Sequence, residues 1–439
     1  MTPACKEDGM SGLRTQPMAI GVSWRSSFLN HPASGIANGS GLEDSILSRT
    51  KRGGKRMLEK STAAALFLSF FMSSAAWAAE KAPAKEAVKD PKAAAQKAIP
   101  QQVRKEAGST DATATAKKAF DKVSQDLYPK AKQEGNLVVY SVWDVEHLRV
   151  ITDAFMKRYP GIKATYWQGR NPEIVTRVLT EFQGGQASFD VVLSDNAPPV
   201  IRAAGGIMPY ETVQKDVLYL HDPTLPTVSL QIQALAYNTR KLKPADLPKS
   251  WEEVANPKYK GAIALDDPMR AGPLSSMLSG LKTQWNDDAR FNNFLKGLKA
   301  LNVPVHKSTS AMFRLVISGE YNICMPALLH DVMEEMHKGT PIGYVKSVPP
   351  VVFPRQAGIY VKAPNPNAGK LFAEWLISDE GQKTIDSIGR ETSRNDFKSK
   401  TSIESAFGKG TKPLPVTDRT FLEDPKKWLD TFVKAIWEG

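Results

Sequence analysis

Acidic residues follow two apolar runs that have the composition of buried strands. Asp144 comes shortly after "NLVVYS", and Asp195 comes directly after "FDVVLS". Because the carboxyl ends of parallel strands lie at one edge of a sheet, both side chains are placed to face one cleft. Two carboxylates there favour a cationic ligand or a metal ion, although each also suits the cap of a following helix.

Other residues of the same two loops can contact a ligand. Ser141 and Trp143 precede Asp144, and Asn196 follows Asp195. Trp143 suits stacking or a cation–π contact, but it suits equally a role in covering the edge of the sheet. Asn196 is also in position to cap a helix that opens with prolines.

Arginines predict the opposite kind of ligand. Arg270, in "DDPMRAGPLSS", stands just before a predicted helix, and an Arg beside a helix N-terminus is a natural anion site. Arg170 after "YWQG" and Arg355 in "VVFPRQAG" are weaker candidates of the same type. A solvated surface arginine is the alternative for each.

Alternating strand and helix patterns must position these residues. "NLVVYS", "IKATYW" and "FDVVLS" predict strands, and each is followed by a segment with helical spacing. The alternation resumes in the middle of the chain, where "AIALDDP" and "NICMPALL" predict strands. We therefore expect an α/β fold of two doubly wound lobes. Crossing strands near "ALAYNTR" and "VVFPRQAG" would join them, with Tyr237 and Arg355 at the hinge.

Composition excludes some classes of function. The formal net charge is +12, but residues 1–130 hold 20 Lys and Arg against 12 Asp and Glu, so the basic excess lies mostly near the N-terminus. A folded body near charge balance argues against nucleic-acid binding. The body has a single cysteine, Cys324, so a disulfide framework and a cysteine zinc site are both excluded there.

A secretory signal lies well inside the chain. "KRGGKRMLEK" is a basic flank, Ala63 to Met72 an apolar core too short to span a bilayer comfortably, and Ala76-Trp77-Ala78 a cleavage site. We expect export to the periplasm with cleavage near Ala78; an uncleaved anchor is the alternative. Met57 then becomes the working start, and an Ala-, Lys- and Pro-rich tether follows the signal.

Several stretches together resemble a known family. "AKQEGNLVVYS", "AFMKRYPGIKATYWQG", "GGQASFDVVLSD", "SWEEVANPKYKGAIALDDP" and "NAGKLFAEWLISDEGQ" occur in an order and spacing similar to the periplasmic solute-binding proteins of ATP-driven importers. The resemblance is to the branch that contains the ferric-iron-binding proteins. It implies a type II periplasmic-binding-protein fold, in which two lobes close on a ligand, and delivery of that ligand to an inner-membrane ABC permease.

The resemblance also implies positions for a ligand. The loops that hold Ser141 to Asp144 and Asp195 to Asn196 correspond to binding loops of the family. The iron binders carry adjacent tyrosines after a strand of the second lobe, where this chain has His330 and Asp331 in "LLHDVM". We expect no resident cofactor; iron or another metal would be cargo, held by Asp144, Asp195, His330 and Asp331. Alternatively, Asp331 caps a helix and His330 lies at the surface.

The predicted organisation divides the chain into five parts. They are a start-site extension (1–56), the signal peptide (57–78), the tether (79–115), lobe 1 (116–237 and 352–395) and lobe 2 (238–351 and 396–439). We expect a monomeric binding protein, not an enzyme, that captures a metal, an organic cation or an organic anion. A sensor for a membrane receptor and a periplasmic hydrolase are the alternatives, although no hydrolase motif is present.

Overall fold

The computed structural model describes residues 102–103 and 110–439, with side chains from residue 111 onwards. The predicted extension, signal peptide and most of the tether lie outside these residues. The first helix begins at Thr110, so residues 110–115, which composition assigned to the tether, are helical. No helix in the described ranges is long and apolar enough to cross a membrane.

Fourteen strands and fifteen α-helices are found in the described residues. The strands are β1 (Gln102–Val103), β2 (Asn136–Ser141), β3 (Lys163–Gln168), β4 (Val191–Ser194), β5 (Ile207–Met208), β6 (Leu220–His221), β7 (Thr227–Asn238), β8 (Ile263–Asp266), β9 (Val305–His306), β10 (Ile323–Leu328), β11 (Ile342–Tyr344), β12 (Val351–Tyr360), β13 (Glu391–Thr392) and β14 (Leu414–Pro415). The helices are α1 (Thr110–Glu134), α2 (Val145–Arg158), α3 (Asn171–Gln183), α4 (Ala197–Ala203), α5 (Trp251–Val254), α6 (Pro273–Trp285), α7 (Asp288–Ala300), α8 (Thr309–Ser318), α9 (Leu329–His337), α10 (Pro366–Ile377), α11 (Asp379–Ser387), α12 (Ile403–Phe407), α13 (Arg419–Glu423), α14 (Pro425–Phe432) and α15 (Lys434–Trp437).

Two long antiparallel strands join two parallel groups into one sheet. The order is β3-β2-β4-β12-β7-β10-β8-β9, in which the outer strands on each side are parallel and the central pair β12–β7 is antiparallel. The central pair runs in register from Val351 opposite Gln233 to Arg355 opposite Ser229. These are the two crossing strands that the sequence predicts. Because β7 and β12 each pair with both sides, the lobe boundaries given above stay predictions.

Each side of the sheet has its own apolar core. Around β2 and β4, helix α2 buries Leu148, Ile151 and Phe155, which recur at helical spacing and pack with Trp375 of α10. Around β8 and β10, helices α6, α7 and α14 bury a second set that includes Trp428. Every strand that carries a candidate site residue is thus fixed by packing against its own helices.

A buried carboxylate fixes the loop after β5 to helix α10. Glu374 is 0 % exposed and accepts hydrogen bonds from Tyr210 Oη (2.9 Å), Thr212 Oγ1 (2.9 Å), the Val213 amide (3.0 Å) and Gln214 Nε2 (3.0 Å). Burial raises the pKa of Glu374, and these donors oppose that rise. The loop therefore depends on one side chain for most of its attachment.

We expect Glu374→Ala to destabilise the protein by about 3 kcal/mol or more, because it leaves several buried donors without an acceptor. Denaturant unfolding followed by circular dichroism measures this. The matched control is Glu320→Ala, at an exposed glutamate, which should change stability by no more than about 0.5 kcal/mol. Equal effects of the two substitutions would contradict this account of Glu374.

Candidate functional site

The candidate site lies where strands of both sides of the sheet end near the central pair. Asp144 and Asp195 follow β2 and β4, His330 follows β10, and Arg355 lies within β12. Gln231 and Gln233 lie within β7, which pairs with β12. Side chains from both lobes are thereby brought to the middle of the sheet.

Arg390, between α11 and β13, is hydrogen-bonded to the other residues of one half of the site. Its guanidinium donates to Asp144 Oδ2 (2.9 Å), His330 Nε2 (2.8 Å) and His147 Nδ1 (3.3 Å). Burial and the neighbouring Arg390 lower the pKa of His147. His330 belongs to the β10 side of the sheet and the other three residues to the β2 side, so this cluster links the lobes.

The hydrogen bonds of His330 determine its tautomer. A guanidinium has only donors, so Nε2 of His330 must accept from Arg390, and Nδ1 then donates to Glu391 Oε1 at 2.9 Å. Burial would raise the pKa of Glu391, but His330 and Arg355 outweigh it and hold the pKa below its ordinary value. His330 is 8 % exposed, so the alternative of a surface histidine is wrong.

Arg355 is a buried cation with unused donors. Arg355 is 3 % exposed, and its Nη1 lies 3.9 Å from Glu391 Oε2. Its Nε and Nη1 have no hydrogen-bond partner within the described residues. Burial and Arg390 lower the pKa of Arg355, while Asp195, Glu391 and Asp331 act in the opposite sense. An arginine stays protonated even so, and buried donors without acceptors are uncommon.

Asp195 anchors the other half of the site. Its carboxylate accepts from Asn171 Nδ2 (2.7 Å), Gln231 Nε2 (3.2 Å) and the amide of Asn196 (2.8 Å). The amide network continues from Gln231 through Gln233 Nε2, which donates to Gln231 Oε1 at 3.0 Å.

Helix α6 meets this network at its first turn. Gln233 Nε2 also donates to Ser276 Oγ, at 2.7 Å, so the N-terminus of α6 lies beside the amides of β7. Arg270, just before α6, donates to Asp266 Oδ1 at 2.6 Å and is about one-third exposed. Burial raises the pKa of Asp266, and Arg270 opposes that rise. Arg270 is thus already paired, although its Nε has no partner among the described residues.

The structure corrects the roles expected for several loop residues. Trp143 is 1 % exposed and packs in the core around β2, so in this conformation it offers no face to a ligand. Ser141 is buried, and its Oγ accepts from the Trp143 amide. Asn196 makes no side-chain cap. Arg170 is exposed and ion-paired with Glu173 at the start of α3.

Asp144 and Asp331, two of the three acidic residues considered as helix caps, have other roles. Asp144 occupies the position before α2 but makes no capping hydrogen bond, and it pairs with Arg390 instead. Asp331 lies inside the first turn of α9, partly exposed and 3.4 Å from His330 Nε2.

The predicted metal ligands are not assembled as a metal site. In the ranges that the structure describes, no group of three or more His, Cys, Asp or Glu side chains is placed to hold a metal ion. Asp144 is turned to Arg390, Asp195 to amides, and His330 to Arg390 and Glu391. These side chains are hydrogen-bonded to arginine, amide and carboxylate groups, and they do not form the metal site that the sequence suggested.

Several residues of the site were missed by the sequence analysis. Arg390 and Glu391, in "IGRETS", follow an ordinary amphipathic helix and give no local signal. His147 is one of the few histidines of the chain and stands three residues after Asp144. Gln231 and Gln233 did carry a signal, because polar and apolar residues alternate along "TVSLQIQ" and two amides in a buried strand need partners.

The expected hinge residues lie on the crossing strands. Tyr237 is on β7, where it packs against the core around β8, and Arg355 is on β12. Arg355 therefore lies on a crossing strand and among the residues of the site, and its role as a hinge residue stays a prediction.

This fold, with its site between the lobes, defines a two-lobed binding protein of the type II periplasmic class. The model for "bacterial extracellular solute-binding protein" matches residues 147–383, and the chain belongs to that family. The predicted fold class is confirmed, and so is the expectation of a binding protein that is not an enzyme.

Relatives by sequence include iron-binding proteins. The chain is 26 % identical over 271 residues to the major ferric iron-binding protein of Neisseria meningitidis serogroup B, covering 58 % of this chain and 80 % of the relative. The predicted resemblance to the branch that contains such proteins is thereby confirmed.

Solved structures share the fold. FutA from Trichodesmium, in complex with iron and citrate, aligns with a TM-score of 0.55 at 19 % identity, over 68 % of this chain and 99 % of that one. AfuA from Actinobacillus pleuropneumoniae, with fructose-6-phosphate bound, aligns with a TM-score of 0.54 at 21 % identity, over 68 % and 98 %.

The lowered pKa of Glu391 predicts a pH dependence of stability. A carboxyl whose folded pKa lies below its unfolded value of about 4.3 stabilises the fold above that value, and this contribution is lost as the pH falls through the folded pKa. We expect the melting temperature of the native protein to fall more steeply under acid conditions than that of Glu391→Gln. Calorimetry from neutral pH to about pH 3.5 measures this. Glu320→Gln, at an exposed site, should follow the native slope; equal slopes in all three proteins would refute the account.

Proposed function

We propose that this protein is the periplasmic substrate-binding component of an ATP-driven importer, and that its cargo is a small hydroxylated organic anion. It captures this anion between the two lobes as a monomer and delivers it to an inner-membrane ABC permease. Membership of the extracellular solute-binding family supports the class. The buried, incompletely paired Arg355 is the observation that carries the choice of an anion.

Arg355 supports an anion because its charge is buried and its donors are directional. A guanidinium binds a carboxylate or phosphate through two parallel N–H groups, and such charge-assisted bonds are stronger than neutral ones. Arg390 lies close enough to lower the pKa of Arg355, so an anion between them would relieve the repulsion of two cations. The N-terminus of α6, beside Gln233, adds partial positive charge on the other side.

The carboxylates of the site support a ligand that also carries hydroxyl groups. Asp195, Asn171 and the two glutamines of β7 offer both acceptors and donors within one network. A hydroxyl both donates and accepts, so it can exchange with such partners without leaving a buried group unpaired. A simple inorganic anion would use the arginines and leave the acidic half without a role.

Closure of the two lobes explains how binding reaches the permease. Arg390 and His330 come from the β2 and β10 sides of the sheet and contact each other directly, which supports a ligand that bridges them and favours a closed arrangement. A closed cleft excludes water and strengthens each charged contact. The closed form then presents a different surface to the permease from that of the open form.

Ferric iron with an accompanying anion is the second candidate, favoured by the relatives. The Neisseria relative is named for ferric iron, and the Trichodesmium structure holds iron with citrate. In this chain Arg355 and Arg390 would hold the anion, and Asp144 and His330 would have to leave Arg390 to reach a metal. The first candidate needs no such rearrangement, and the fructose-6-phosphate in AfuA is a ligand of that chemical type.

Native mass spectrometry of the protein purified from its own periplasm tests the proposal directly. We expect a bound mass that corresponds to an organic anion with hydroxyl groups and contains no metal. An iron-containing mass with an anion would establish the second candidate. A cationic ligand would overturn both. Uptake of the identified compound by cells that carry the cognate permease, and its loss on deletion of this gene, separates transport from sensing.

We expect Arg355→Gln to weaken binding of the identified anion by roughly 30-fold or more, because truncating a buried charged partner typically costs about 2–5 kcal/mol. Isothermal titration calorimetry measures this, with fructose-6-phosphate and citrate as the first anions tried. The control is Arg158→Gln, which removes the same charge from an exposed arginine paired with Glu380. Circular dichroism checks that both variants fold. Unchanged affinity in a folded Arg355→Gln protein would rule out this anchor.

A further inference from the structure

Asp144 has two groups within reach that could hold its carboxylate. It stands immediately before α2 with φ −62° and ψ 150°, the extended conformation that is usual for a residue that caps a helix. The side chain nevertheless makes no hydrogen bond to the first turn of α2. Its Oδ2 accepts instead from Nη2 of Arg390 at 2.9 Å. The first-turn amides of α2 therefore lack the acceptor that the sequence places beside them.

Arg390 is the only hydrogen-bond partner of the Asp144 carboxylate within the described residues. His147 Nδ1 lies 3.5 Å from Asp144 Oδ2, but this nitrogen accepts from Arg390 and so has no proton to donate to Asp144. The Asp144 side chain is 62 % exposed. An ion pair with so exposed a partner is weak, and the carboxylate can exchange with solvent or with another group.

The Arg390 guanidinium is held more firmly than its acidic partner. Its side chain is 11 % exposed, and it also donates to His330 Nε2 (2.8 Å) and His147 Nδ1 (3.3 Å). These contacts keep the guanidinium in place when Asp144 leaves. A guanidinium makes its strongest hydrogen bonds with anionic oxygens. Asp144 thus takes the position from which the anionic group of a ligand would reach Nη2.

We infer that Asp144 is an internal competitor of the cargo, which gives up Arg390 to an incoming anion and turns to cap α2. Neither group loses its charge compensation in this exchange. Arg390 gains the anion, and Asp144 gains first-turn amides at a helix end that favours negative charge. Only the exposed side chain moves, since His330 keeps its contact with Arg390.

The competition rests on the anionic cargo proposed above, and it makes a prediction about affinity. Every anion that binds Arg390 must first displace Asp144, so the native affinity is lower than the site alone would give. The opposite view, in which Asp144 contacts a cationic ligand directly, predicts that loss of its charge weakens binding. The two positions of Asp144 can be tested without any cargo.

Amide hydrogen exchange of the ligand-free protein tests these two positions. In Arg390→Gln the present partner of Asp144 is gone, so Asp144 should cap α2 and slow exchange of the Glu146 and His147 amides by roughly fivefold. In Arg390→Gln/Asp144→Ala this protection should disappear. Asp144→Ala alone should leave the same amides unchanged, because Asp144 does not cap α2 in the native protein.

This comparison separates the cap from other effects of Arg390→Gln, since both backgrounds receive the same second substitution. If Asp144→Ala changes exchange equally with and without Arg390, or in neither case, the two-position account is wrong whatever the cargo is.

Calorimetric titration of the native protein with citrate and fructose-6-phosphate tests the competition. Asp144→Asn keeps the size of the side chain and removes its charge, so we expect roughly two- to fivefold tighter binding of the anion. The matched control is Asp153→Asn, at an exposed carboxylate further along α2, which should bind as the native protein does.

The outcomes distinguish this inference from the proposed cargo. Unchanged affinity in Asp144→Asn, or the same gain in Asp153→Asn, would refute the competition and leave the anionic cargo standing. Weaker binding by Asp144→Asn would show that Asp144 contacts the ligand and would also refute it. A native protein and an Asp144→Asn variant that both fail to bind either anion would count against the cargo, while hydrogen exchange still decides the two positions of Asp144.

Discussion

The burial of polar side chains on two crossing strands is the constraint on which the rest of this structure depends. β7 and β12 are buried over almost their whole length, yet they carry Arg355, Gln231 and Gln233. A buried polar group costs free energy unless it is hydrogen-bonded, and a buried charge costs more. The carboxylate of Asp195 and the first turn of α6 supply partners to the two glutamines, whereas Nε and Nη1 of Arg355 have none among the described residues.

That constraint also couples the lobes. Partners of the two strands come from both sides of the sheet, so the polar network joins structures that have separate apolar cores. Arg390 and His330 make the same kind of link a short distance away. The contacts of Arg390 with His330 and of Asp195 with Gln231 are polar, so they can be exchanged for contacts with a ligand.

The local pattern of the sequence predicted the fold, but it predicted the site only in part. Alternating strand and helix periodicity predicted the parallel groups, and the position of Asp144 and Asp195 after strands predicted their place in the cleft. A loop residue that follows a strand has its location set by that strand. Its partner is not set in this way, and neither is the direction of its side chain. Trp143 illustrates the limit, since three residues of loop were enough to turn it into the core.

What the sequence could not predict depends on contacts between distant parts of the chain. Arg390 reaches Asp144 across 246 positions and His330 across 60, and neither contact leaves a trace in local periodicity. Those contacts reverse the chemical conclusion, because Asp144, one of the carboxylates that suggested a metal, is already paired with a guanidinium. The alternate glutamines of β7 were the exception: in a buried strand, two side chains that need partners indicate a site before any partner is known. Polar residues that alternate with apolar ones along a buried strand are thus a better guide to this cleft than the exposed charges of its loops.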